Sequence, residues 1–159
     1  MNHIIDIQNA TPTPLFLDEE RICALAQIPL REQPPGTELT LRFVTPEEIT
    51  ELNHTYRNKN KATNVLAFPM EAPPVAIPDY HYLGDIVICP EVLAAESTEQ
   101  NKSLEEHWTL IIFHGILHLL GFDHVEDEDA KIMQGLEIQL LAEQGYKNPY
   151  DIEEDYDLG

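Results

Sequence analysis

Residues 103–121 carry both ends of a helix and most of its interior, and this segment limits the fold more than any other. Ser103 and Glu106 form a capping box, in which the serine side chain serves a backbone donor of the first turn. Trp108, Ile111, Ile112 and Leu117 follow, and Leu110–Phe113 is an unbroken run of large apolar residues. Gly121 then stops the helix, because glycine takes the left-handed conformation that ends a helical run.

Further signals surround this helix. His3–Ile7 alternates loosely and reads as a strand. Asp18–Gln27 reads as a helix capped by Asp18, and the proline-rich stretch Pro29–Gly36 as a loop. Glu38–Val44 sets Leu39, Leu41 and Phe43 on one face of a half-buried strand. Thr45, Pro46 and Glu48 start a helix that carries Ile49 and Leu52 inward and ends near Arg57. Thr63–Phe68, closed by Pro69, and Gly84–Cys89 read as strands, with a surface excursion over Glu71–His81. Pro90 opens a helix to about Gln100. Asp127 or Asp129 begins the last one, with Ile132, Met133, Leu136 and Leu140 at helical spacing. The expectation is an α+β fold, a small mixed sheet packed with several helices. One domain should span 1–148, followed by an acidic tail over 149–159.

The long helix also carries the chemistry. His114 and His118 are four residues apart, so their imidazoles lie one turn apart on one face. Gly121 lets the chain double back, and His124 can approach the same point. Three neutral imidazoles suit one zinc ion per chain and leave a fourth position open for water. His107 is seven residues before His114, roughly 10 Å along the helix, too far to be a ligand. His3, His54 and His81 read as surface or core residues.

Metzincin proteases use the spacing His-x-x-x-His-x-x-Gly-x-x-His, with a glutamate after the first histidine as general base. Gly115 holds that position here, which disfavours a peptidase. A binding module with a purely structural zinc is the other alternative, and a three-ligand site speaks against it.

The motif from His114 to His124 resembles that of the YbeY family of endoribonucleases. Three companions extend the likeness over most of the chain: Leu52-Asn53-His54-Thr55-Tyr56-Arg57, Thr63-Asn64-Val65-Leu66-Ala67-Phe68-Pro69 and Leu83-Gly84-Asp85-Ile86. Ala67 stands where the family usually has serine. The resemblance implies a metal-dependent ribonuclease acting on rRNA precursor in 3′-end maturation of the small-subunit (16S) rRNA and in ribosome quality control. It implies zinc ligation by His114, His118 and His124 and a functional role for Arg57.

A metal and a guanidinium together suit phosphodiester cleavage, which builds negative charge on phosphoryl oxygens. Arg57, Lys59 and Lys61 would form a local positive strip, with Lys59 and Lys61 as RNA-binding candidates; an arginine favoured by the helix dipole and a solvated loop are the competing readings. Asp123, beside a ligand, either orients an imidazole or caps the turn, and Asp85, at a strand start, is a candidate for structure or proton transfer.

Charge limits the substrate. Nine basic residues against 29 acidic ones give a net charge of −20. Such a chain repels nucleic acid at long range, so contacts should be few and confined to a cleft beside the zinc, around Arg57, Lys59 and Lys61, and single-stranded RNA is the expected substrate. Docking on the small ribosomal subunit should supply part of the specificity. A hydrophobic fraction of 43% argues for a folded chain. No apolar run is long enough to span a bilayer, and no signal-peptide pattern stands at Met1–Asp6. Cys23 and Cys89 form no Cys-x-x-Cys pair, and a cytoplasmic location is expected.

Overall fold

The computed structural model describes residues 3–70, 81–123 and 125–150. Four strands form one mixed sheet in the order β1 (Ile4–Asn9), β2 (Glu38–Phe43), β4 (Tyr82–Ile88), β3 (Val65–Pro69). β1 and β4 run parallel to β2, while β3 is antiparallel to β4 at one edge. Pro69 ends that edge strand, where a missing donor disturbs no ladder. A register shift at Glu38/Leu39 is opposed by Tyr82 and Gly84, and Gly84 has a φ of +138° that favours glycine.

Side-chain alternation along the strands divides the apolar residues between two faces. Leu39, Leu41, Phe43, Ile86 and Ile88 join the larger core with α1 (Glu19–Gln27), α4 (Leu104–Leu119) and α5 (Asp127–Glu143). Leu66, Val87 and Cys89 turn to the other face, where Ile49 and Leu52 of α2 (Pro46–Arg57) cover them. α3 (Pro90–Glu99) connects β4 to the loop before α4. The α+β expectation holds.

α4 is the spine of the larger core. Its residues from His107 to Phe113 are all buried, and Trp108 stacks on Phe43 with ring centroids 5.3 Å apart. The anticipated caps are present: Ser103 Oγ accepts from the Glu106 amide at 3.1 Å. At the other end Gly121 has φ +103°, its amide donates to the His118 carbonyl, and the Phe122 amide donates to that of Leu117. This pair of bonds is a Schellman motif.

Some local expectations shift. Thr45 caps α2, but the Glu48 carboxylate turns to Arg42 at 3.0 Å instead of closing the capping box. The loop expected over Pro29–Gly36 begins with a short 3-10 turn, Ile28–Leu30. In α5 the inward stripe is Met133, Glu137, Leu140 and Leu141, while Ile132 is 55% exposed. The surface excursion falls mostly on residues 71–80, and the acidic tail mostly on 151–159, both outside the described residues. Pro149 and Tyr150, assigned to that tail from sequence, line a cleft with the rest of the domain.

Candidate active site

His114 and His118 come together one helical turn apart on α4. Their ring centroids are 4.7 Å apart and their planes nearly perpendicular, at 82°. Both side chains sit at the boundary between core and solvent. His124, the third expected ligand, lies outside the described residues. Among the described residues no group of three His, Cys, Asp or Glu side chains is placed to hold a metal.

α5 adds a residue that spacing within one helix did not reveal. Glu137 Oε2 accepts from His114 Nδ1 at 2.5 Å, and the other carboxylate oxygen accepts from the Tyr150 hydroxyl. Glu137 is 1% exposed, the only buried carboxylate among the described residues. Burial first, and then the bond to Glu137, push the Tyr150 phenol well above its ordinary range, so it acts as a neutral donor. A carboxylate can only accept, so the His114 proton sits on Nδ1 and its basic lone pair on Nε2. This tautomer is the one that a metal-binding imidazole needs, and a buried carboxylate behind a ligand histidine is the usual way to fix it. The chemistry of the two described imidazoles therefore fits zinc.

Sequence held a signal for Glu137, unread there: it falls four residues after Met133 and three before Leu140, on the inward stripe of an amphipathic helix. A carboxylate in that position requires a partner.

Gly115 is explained by packing. A Cβ there would lie 2.9 Å from Ile86 Cγ2 and 3.4 Å from Val65 Cγ2, so α4 rests directly on β3 and β4 at this point. A glutamate at 115 would be driven into the sheet, which leaves the peptidase alternative without its general base.

The remaining candidates separate. Asp85 lies next to Ile86, which faces α4, so its side chain projects from the opposite face of the sheet. There it accepts from the Tyr82 hydroxyl at 2.5 Å, which in turn lies 2.7 Å from Thr40 Oγ1. Asp123 is exposed in the turn after α4. Arg57 is exposed at the end of α2, where Asn58 adopts the left-handed conformation. Lys59 and Lys61 are exposed on the following loop, which the buried Asn53 pins by donating to the Lys61 carbonyl at 2.9 Å.

His114 borders a cleft of about 990 Å³. The loop before α4, residues from α3 and α4, Asn64 and the segment Lys147–Tyr150 line it. Arg57, Lys59 and Lys61 do not, although their loop runs into Asn64. His107, set aside as a ligand from its spacing, lines the cleft as well; its Nε2 donates to Glu96 Oε1 at 2.8 Å.

This geometry can be set beside known proteins. The family model described as Endoribonuclease YbeY matches residues 13–145. The chain belongs to the YbeY family. An Endoribonuclease YbeY of Legionella pneumophila (strain Corby) is 58% identical over 154 residues, covering 97% of this chain and 98% of that protein. One from Pseudomonas putida (strain F1) is 50% identical over 148 residues, covering 92% of each. A solution structure of a Thermotoga maritima protein superposes with a TM-score of 0.58 over 98% of both chains at 24% identity, a likeness of fold. The match to the YbeY model takes in α4 and the histidine pair. No helix among the described residues is long and apolar enough to cross a membrane.

Proposed function

We propose that this chain is a zinc-dependent, single-strand-specific endoribonuclease that acts in 3′-end maturation of small-subunit rRNA and in ribosome quality control. Family membership and the names of its relatives support the ribonuclease reading. The observation that carries the metal dependence is the Tyr150–Glu137–His114 relay, since a buried carboxylate behind this histidine has no equally good structural purpose. A bound zinc would be held by His114, His118 and His124 and would supply positive charge to phosphoryl oxygens.

The chain's own residues do the rest. Glu137 and Tyr150 keep His114 in one tautomer and orientation. The cleft receives an unpaired strand, because unstacked bases can be splayed out into it whereas those of an A-form duplex stay paired and stacked. Arg57, exposed at the end of α2 with a planar fork suited to phosphate, is the candidate for contact with the RNA backbone outside the cleft. Lys102 and Lys147 line the cleft together with Glu96, Glu99 and Glu106, so few phosphates can be neutralised there.

The test is cleavage of single-stranded and fully paired RNA by metal-replete protein across a salt series. Single-strand selectivity is expected, with a salt slope equivalent to about two or three phosphates. His114→Ala should abolish cleavage. Equal cleavage of both substrates with a steep slope, or activity in His114→Ala, would overturn the reading.

A further inference from the structure

The cleft beside His114 is furnished for bases more than for phosphates. Amide side chains of Asn64, Asn101 and Asn148 line it alongside Lys102 and Lys147. One cluster in it has no part in the relay to His114: Glu96 from α3, His107 from α4 and Asn64 at the entry to β3.

His107 Nε2 donates to Glu96 Oε1 at 2.8 Å, and Asn64 Nδ2 donates to both Glu96 oxygens, at 3.2 and 3.3 Å. The His107 side chain is 3% exposed and Glu96 is partly buried, so this carboxylate–imidazole pair carries a desolvation cost that an apolar α3–α4 contact would avoid. What the pair adds is orientation. A carboxylate has only acceptors, so the end of the Asn64 amide that meets it must be the NH2 group. The Asn64 carbonyl oxygen is thereby committed as an acceptor on the opposite side of the amide.

We infer that Asn64 is a specificity-determining residue whose carbonyl oxygen accepts a hydrogen bond from the exocyclic amine of an unpaired nucleobase lodged beside His114. Glu96 and His107 are the positioning residues that hold the amide in that sense. Adenine, cytosine and guanine carry such an amine, and uracil does not. The inference rests on the ribonuclease reading for the identity of the ligand.

The experiment uses the full, zinc-loaded chain and single-stranded oligoribonucleotides that differ only at the nucleotide on either side of the cut. Cleavage is read as kcat/KM, and binding is read separately by fluorescence anisotropy of 2′-O-methyl versions with a methylphosphonate at the cut, which resist attack by water and by the 2′-hydroxyl alike. Wild-type protein should favour A, C and G over U by about three- to tenfold at one of the two positions, the range of a single hydrogen bond. Asn64→Ala should flatten that preference to within about twofold, lowering the amine-bearing substrates only. Its fold should survive, because the Asn64 backbone carbonyl that accepts from the Cys89 amide at 3.0 Å is kept. Glu96→Gln should weaken the preference too, since a Gln amide lets Asn64 turn over. A merely structural cluster would lower all four substrates equally. Equal loss for all four, or the same preference in wild type and Asn64→Ala, would overturn the inference. Absence of any cleavage by wild type would instead overturn the ribonuclease reading, and the anisotropy series would still decide base recognition.

Discussion

Glu137, itself closed to solvent, accepts a hydrogen bond from the half-buried His114 across the α4–α5 interface, 2.5 Å from carboxylate to Nδ1. The two residues are 23 positions apart and belong to different helices. The relay makes the orientation of the α4 imidazole depend on the seating of α5, and Tyr150 ties the segment after α5 to the same carboxylate.

Glu137→Gln should lower zinc affinity by about 10- to 100-fold, the usual effect of losing a partner behind a ligand histidine. A glutamine carries no charge and can accept from His114 only by turning an NH2 donor toward Tyr150, which reverses that hydrogen bond. Tyr150→Phe should act in the same direction but less. Competition with a chromogenic chelator measures both, and unchanged affinity in Glu137→Gln would reduce the relay to a structural contact.

Gly115→Ala should destabilise the fold by roughly 1 kcal/mol, since overpacking against Ile86 costs about 1–3 kcal/mol and the helix-propensity gain returns about 1 kcal/mol. Urea unfolding followed by circular dichroism reports the difference. Gly115→Glu should be far more damaging and should confer no peptidase activity.

Arg57→Ala should leave zinc content and melting temperature unchanged while lowering RNA cleavage on the order of 10²-fold, as loss of a transition-state donor does. Arg57→Lys should recover only part, because an ammonium lacks the bidentate fork. Wild-type rates in Arg57→Ala would make this arginine an ordinary helix-end residue.

Burial pushes the His107 imidazole below its ordinary value near 6.5, with Glu96 offsetting part of the effect. The folded chain therefore binds this proton less readily than the unfolded chain. Stability from this source is complete above the unfolded value and is lost as pH falls from there through the folded value. His107→Gln should show a shallower loss of stability than wild type as pH is lowered below about 6.5, measured by urea midpoints in a pH series.

The sequence made visible what is encoded within one element. Ser103, Gly121, His114 and His118 are related by helical spacing, and the faces of β2 follow from strict alternation, so all were readable. Glu137 was hidden because its meaning comes from a neighbouring helix. The Glu96–His107 pair joins two helices 11 residues apart in the chain, and neither spacing nor periodicity relates them. Ile132 fits the helical period of the last helix, whereas α5 turns Met133 and Glu137 to α4 and leaves Ile132 in water. Asp85 looked like a site residue from its place at a strand start, yet strand alternation around Ile86 puts it on the other face of the sheet.

Trp108 is the chain's sole tryptophan, it is buried, and it lies on the same helix as His114 and His118. Its stacking on Phe43 gives the molecule an intrinsic optical gauge of whether that helix is seated on the sheet. Emission from a dry indole in this position should be blue-shifted and should move to longer wavelength when α4 detaches. Unfolding and refolding of the histidine-bearing helix can thus be timed in a fluorimeter, on unlabelled protein, with no nuclease substrate in the cuvette.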